Sequence, residues 1–428
     1  MRSSPVRPES SPSQPAWFAA PWIQTLWCIA AAFGTYACMY GFRKPFTAGS
    51  YPGTAAFPDP KVWLVTAQVL GYTISKFAGI RVIAEMQPRH RTPMLLGLIA
   101  VAELALLGFA LVPAPWNIAC LFLNGLPLGM VFGLVLGFLE GRRMTEAFVA
   151  GLCASFILAD GITKSVGTEL LHQGVPAAWM PFTAGLIFVL PLLGFTWMLN
   201  RIPPPSALDV AARSERAPMQ RAERLAFLRR HGPGLGMVIL AYLLVTVIRS
   251  LRADFAPELW AALGSKANST LFTRSELWVA LGVITANGLA VLIHDNRRAL
   301  ISCLLLSIGG LTLVAASVLA SRTGLLPAFP FMVLLGLGMY VPYVAVHTTV
   351  FERLIALTRD RGNIGYLMYL ADAIGYLGYV AVMLARRLWK AEGSFLEFFR
   401  TVTLASVVIG ILALAGALLA FRRLRASR

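Results

Sequence analysis

"NRIPPPSALDVAARSERAPMQRAERLAFLRRHGP", residues 200–233, is the one long polar stretch in a chain of 428 residues. The sequence on both sides of it is apolar. Of the whole chain, 57% is hydrophobic and only 13% charged, with a mean hydropathy of +0.69. A soluble domain has about 45–50% apolar and about 25% charged residues. The composition is that of an integral membrane protein, and the polar stretch joins two membrane-embedded halves. The net charge of +17 does not point to nucleic acid. The basic residues form no patch; they punctuate apolar runs, as topology determinants do.

Working outward from this stretch, six apolar runs precede it and six follow. They lie at 20–44, 61–82, 93–112, 116–139, 146–167 and 178–199, then at 235–256, 276–294, 299–320, 327–350, 362–386 and 400–421. Each approaches the roughly 20 residues that a helix needs to cross the hydrocarbon core. The expected fold is all-α, with about 12 transmembrane helices in two six-helix bundles, 17–200 and 235–428. Residues 201–234 are the basic cytoplasmic linker, a charged connection that fixes topology, within which 208–230 has the pattern of an amphipathic surface helix. Residues 1–16 are too polar for a signal peptide and read as a disordered cytoplasmic tail. With both termini inside, 23 of the 37 Lys and Arg residues fall on inner segments and 11 on outer ones. This bias places both termini in the cytoplasm and the chain in the cell inner membrane. Cys28, Cys38, Cys120, Cys153 and Cys303 all lie in apolar runs and lack metal-ligand spacing, so they read as buried thiols.

The halves repeat. "RKPF" at 43–46 is echoed by "RADF" at 252–255, "VW" at 62–63 by "LW" at 277–278, "LGM" at 128–130 by the same triplet at 337–339, and "LAD" at 158–160 by 370–372. Four matches, in order and at nearly constant offset, imply a duplicated six-helix unit. Parallel repeats of this kind place a substrate between the halves near mid-membrane.

Ionisable residues inside spans are costly, so they face a cavity or a partner. Tyr36, Tyr40 and Arg43 share one helical face at i, i+4, i+7; that face either lines a cavity or lets Arg43 snorkel to the outer interface. The charge-free run before Arg249, 235–248, is shorter than the bilayer core, so span seven continues through Arg249. Arg252 follows one turn on, and Asp254 is placed to neutralise one of the two. Gln68, Tyr72 and Lys76 share a face of span two, where Lys76 either lines the same cavity or snorkels inward. Asp160 and Lys164 are spaced to pair; Asp372 is the counterpart of Asp160, and the three read either as a proton relay or as structural ion pairs. His347, Glu103, Asn124 and Asn287 read as interhelical hydrogen-bonders. Glu140, Arg142 and Arg143 read as a cytoplasmic latch. The excess inside the spans is cationic, which suits a small anion: arginine's planar fork fits phosphate or carboxylate, and tyrosine hydroxyls donate to remaining oxygens.

At these residues the chain resembles the organophosphate:anion antiporters of the major facilitator superfamily, the glycerol-3-phosphate and hexose-phosphate exchangers. The resemblance rests on "YACMYGFRK" at 36–44, "YTISKF" at 72–77, "RSLRADFAP" at 249–257 and "GYLG" at 375–378. It implies that Arg43 and Arg249 grip a substrate phosphate from opposite halves, with Lys44, Lys76, Tyr36, Tyr40 and Tyr72 around them. Arg252, which the repeat makes the mate of Arg43, stands in reserve. The family's span-five histidine is missing; Asp160 and Lys164 occupy that region. The expectation is a monomeric secondary transporter exchanging a small organic anion, such as a phosphate ester, by alternating access, with no metal, cofactor or nucleic acid involved. The alternatives are proton-coupled carboxylate transport through Asp160 or Asp372, and a membrane receptor that binds without transporting. No nucleophile–base pair suggests an enzyme.

Overall fold

The computed structural model describes residues 20–53, 59–84, 86–139, 145–203, 221–265, 268–293, 295–358, 364–388 and 394–422. The first-half helices are α1 (Pro21–Gly41), α2 (Pro60–Ala84), α3 (Pro88–Leu111), α4 (Asn117–Leu128), α5 (Val131–Leu139), α6 (Thr145–His172) and α7 (Met180–Asn200). Those of the second half are α8 (Arg221–Asp254), α9 (Ala256–Ala262), α10 (Ser269–Val291), α11 (Asn296–Arg322), α12 (Ala328–Ala345), α13 (Phe351–Thr358), α14 (Ile364–Leu388) and α15 (Phe395–Arg422). Every backbone polar group in lipid must be satisfied within its own segment, which favours helices throughout. Proline sits at the first turn of α1, α3 and α7, where its missing N–H costs nothing. Asp295 caps α11, its side chain accepting from the Arg298 N–H at 2.7 Å.

Two of the expected spans are interrupted. The fourth breaks at Gly129 and Met130 into α4 and α5, just after Pro127. The tenth passes through a π-helical turn, Val346–Val350, between α12 and α13, one turn after Pro342 has removed a helical donor. Other boundaries move. The first helix ends at Gly41, not at 44, because Pro45 cannot donate to the Gly41 carbonyl. α8 begins at Arg221, so residues 221–234 continue the seventh span as one helix. The remainder of the expected surface helix, the tail at 1–16, and Glu140, Arg142 and Arg143 lie outside the described residues.

Eight of the described helices are long and apolar enough to cross a membrane by length and composition. α1, α2, α6 and α10 fall outside that group, and three of them carry buried charge: Lys76, Asp160, Lys164 and Glu276. The protein is an all-α, multi-pass membrane protein. Burial separates inner from outer helices. Only 28% of the apolar window is buried in α3 and in α7, against 72% in Ala328–Leu357. α3 and α7 present Leu104, Leu111, Leu190 and Trp197 outward, where lipid would cover them. The halves meet along two seams, α2 against α14 and α6 against α10. Close approach is built in: Gly71 and Gly125 bring α2 and α4 into backbone contact, and Gly161 of α6 lies against the Phe272 carbonyl of α10.

Candidate functional site

Arg43 lies on the turn after α1, beyond the helix on which the sequence placed it. Its amide donates to the Tyr40 carbonyl at 3.0 Å. That turn leaves carbonyls without helical partners, and side-chain amides take them up. Gln68 of α2 donates to the Arg43 carbonyl at 2.9 Å, and Asn124 of α4 donates to that of Phe42 at 3.0 Å. Gln68 also donates to Asn124 Oδ1 at 2.7 Å. Gln68 and Asn124 therefore hold the turn, and Arg43 projects from a clamped backbone.

The Arg43 guanidinium carbon sits 3.9 Å from the centre of the Tyr72 ring, 5.8 Å from that of Tyr376 and 5.9 Å from that of Tyr40. Arg249 comes from α8 on the other side. Its Nη2 donates to Tyr376 Oη at 3.3 Å, and its guanidinium carbon lies 4.4 Å from the centre of the Tyr343 ring. The two arginines thus approach one residue, Tyr376, from opposite halves, and both are buried, at 2% and 6% exposure. Tyr36 packs edge-on against Tyr40 and Phe132 beside them.

Every other buried lysine or arginine among the described residues has a carboxylate. Lys44 pairs with Asp254, Lys61 with Glu258 at 2.5 Å, Lys76 with Asp372 at 2.8 Å, Lys164 with Asp160, and Arg252 with Glu276 at 2.8 Å. The first three of these pairs join the two halves. Asp254 does not serve Arg249 or Arg252 as its position in sequence suggested; it holds Lys44 and accepts from Tyr379 Oη at 3.0 Å. Arg252 also donates to the Met332 carbonyl at 2.9 Å, so its guanidinium is occupied. Arg43 and Arg249 have aromatic faces and a phenol but, among the described residues, no carboxylate. A cation over an aromatic ring gains about 0.5–2 kcal/mol, and the ring leaves the positive charge in place.

The structure brings together Arg43, Arg249, Tyr36, Tyr40 and Tyr72 of the expected site. Lys44, Lys76 and Arg252 are near but engaged by carboxylates, and Asp160 and Lys164 pair within α6 at the other seam. Several central residues escaped the sequence reading: Tyr242, Tyr340, Tyr343, Tyr369, Tyr379 and Glu276, with Tyr376 noticed only as part of "GYLG". A signal existed. Tyr369, Asp372, Tyr376 and Tyr379 follow one another at helical spacing, as do Tyr340, Tyr343 and His347. Nine of the chain's 11 tyrosines are buried in this region, away from the interfacial belts that membrane tyrosines usually form. Asn124 is fully bonded between helices, whereas Asn287 donates within its own helix and both Glu103 oxygens lack a partner.

A model of a family of unknown function, DUF5690, matches residues 45–424. No curated protein matches the chain. Among solved structures, a bacterial homologue of the human lysosomal transporter Spinster, inward-facing and unoccupied, superposes with a TM-score of 0.60 at 14% identity, covering 95% of this chain and 98% of that one. A mutant of the nucleoside transporter NupG gives 0.58 at 12% identity, covering 93% and 100%. At such identities the likeness concerns the fold alone, which this chain shares with these two transporters.

Proposed function

The chain belongs to the DUF5690 family, a family of unknown function, and for this member we propose secondary transport of a small organic anion bound between Arg43 and Arg249. One observation carries the reading: of the buried Lys and Arg side chains, these two alone have no carboxylate among the described residues, and they meet at Tyr376 from opposite halves. Two uncompensated charges inside a membrane protein are costly. A phosphate ester or carboxylate between them removes the cost, accepting from two guanidinium forks. The surrounding tyrosine hydroxyls supply further donors. Binding stabilises a closed arrangement of the halves, and the empty carrier is left with facing positive charges, so the halves rock with an anion aboard. Both termini then face the cytoplasm of an inner-membrane carrier. The remaining expectations for the exchanged ion and the monomeric state belong to this same reading.

The test is counterflow in proteoliposomes with glycerol 3-phosphate, a hexose phosphate and a dicarboxylate. The reading requires exchange of at least one of these, reduced in Arg43→Lys and Arg249→Lys, which keep charge but lose the fork. Exchange that both variants leave unchanged, or that is confined to neutral or cationic solutes added as controls, contradicts it.

A further inference from the structure

Next to the arginine pair, on the side of the chain termini, lies a second polar cluster that anion binding does not use. Asp372 of α14 is its hub. Lys76, from the first half, holds Oδ2 at 2.8 Å. Tyr242 of α8 donates to Oδ1, and His347 Nε2 stands 3.5 Å from the same oxygen and 3.3 Å from Tyr242 Oη. His347 sits on the π-helical turn Val346–Val350, a distortion that frequently marks functional positions. Its Nδ1 is 3.1 Å from the Tyr343 carbonyl. A carbonyl only accepts, so Nδ1 carries the proton of the neutral ring. The lone pair on Nε2 then faces two oxygens, one of them already receiving the Tyr242 proton. Nε2 becomes a donor to both oxygens only when it is protonated.

We infer that His347 is a proton-binding site that loosens the Lys76–Asp372 tie between the halves. A proton from water adds to Nε2, making an imidazolium, and no other bond changes. Asp372 then has two cations in contact, Lys76 and His347, and the attraction holding Lys76 weakens. When Lys76 leaves with its half, the imidazolium remains as the partner of a carboxylate that would otherwise be buried and unpaired, which is strongly destabilising. The open arrangement therefore binds the proton more tightly than the closed one, and by linkage acid favours opening at the termini end. From α8, the Arg249 guanidinium carbon lies 4.4 Å from the centre of the Tyr343 ring, which itself is 4.8 Å from that of His347. α5 contributes the Phe132 ring, 6.2 Å away. α6, whose Phe156 packs on Tyr343, carries the buried Cys153 one turn inward. α11 crosses α12 at Gly310 and carries the buried Cys303 two turns on. Lys76 also lies over the rings of Tyr72 and Tyr369, which fill the remaining side.

The inference rests on the alternating-access reading but not on the identity of the anion, and it is tested without one. Spin labels at Gln87→Cys and Ala356→Cys, in opposite halves at the termini end, report their separation, with Cys120→Ser removing the one native thiol that is not buried. Between pH 8 and 5.5 the native network should move from a short to a long distance. His347→Gln should hold one distribution throughout, and Lys76→Gln should give the long distance at every pH. Asp372→Asn, a second route to the same result should the histidine variant not fold, should also lose the pH response. A native distance that ignores pH, or a His347→Gln response with the native midpoint, overturns the inference. A native pH response that stands while Arg43→Lys leaves anion binding unchanged would sink the anion reading alone.

Discussion

Arg43 and Arg249 differ from their neighbours in charge bookkeeping, not in residue type. Arg252, three residues from Arg249 and also buried, is neutralised by Glu276 at 2.8 Å; among the described residues Arg249 meets hydroxyls and rings but no carboxylate. The sequence ranked Arg249 above Arg252 through span length and family resemblance, but Glu276 falls at the expected start of span eight and drew no notice. Replacing either arginine of the pair by lysine removes a bidentate contact to the anion. Since hydrogen bonds to charged groups are worth about 1.5–3 kcal/mol, anion affinity should fall roughly 10- to 100-fold in a binding titration. Tyr376→Phe removes a single hydroxyl that touches Arg249, so the loss should stay within about tenfold. An equal loss in Tyr376→Phe and Arg249→Lys would show that the phenol, and not the guanidinium, holds the anion.

Helices were the most legible level, because a run of some 20 apolar residues has few other fates in a membrane protein. What pattern alone could not show was where a helix stops inside the run. Pro45 ends α1 early, and that early end places Arg43 on a turn held by Gln68 and Asn124, contacts that no spacing rule anticipates. The α2–α4 crossing depends on Gly125, where an added Cβ would strike the Gln68 carbonyl. Gly125→Leu should lower thermal stability by several degrees or abolish folding, since overpacking costs about 1–3 kcal/mol and here the obstacle is backbone. Gly97→Ala, on α3 with nothing within 4 Å, should leave the melting temperature unchanged. Equal effects from the two would remove the case for a tight α2–α4 contact.

For the whole molecule, the decisive feature is that Lys44–Asp254, Lys61–Glu258 and Lys76–Asp372 each tie one half to the other. The internal repeat made two bundles legible in the sequence. Pairings between residues about 200 or more positions apart were not, because they exist only once the halves face each other. Asp254→Asn leaves Lys44 buried without its anion and should destabilise the protein by about 3–5 kcal/mol in a denaturant titration. The exchanged pair Lys44→Asp with Asp254→Lys should recover part of that loss, and no recovery would argue that the cost lies elsewhere. The central claim, one anion shared between Arg43 and Arg249, is tested most directly by the thermal shift that an organic phosphate or carboxylate produces in the native protein, each Arg→Gln single variant and the double variant. The account predicts that both single variants lose the shift and that the double variant loses nothing further, because both groups hold the same ligand. A shift that survives in the double variant would contradict it.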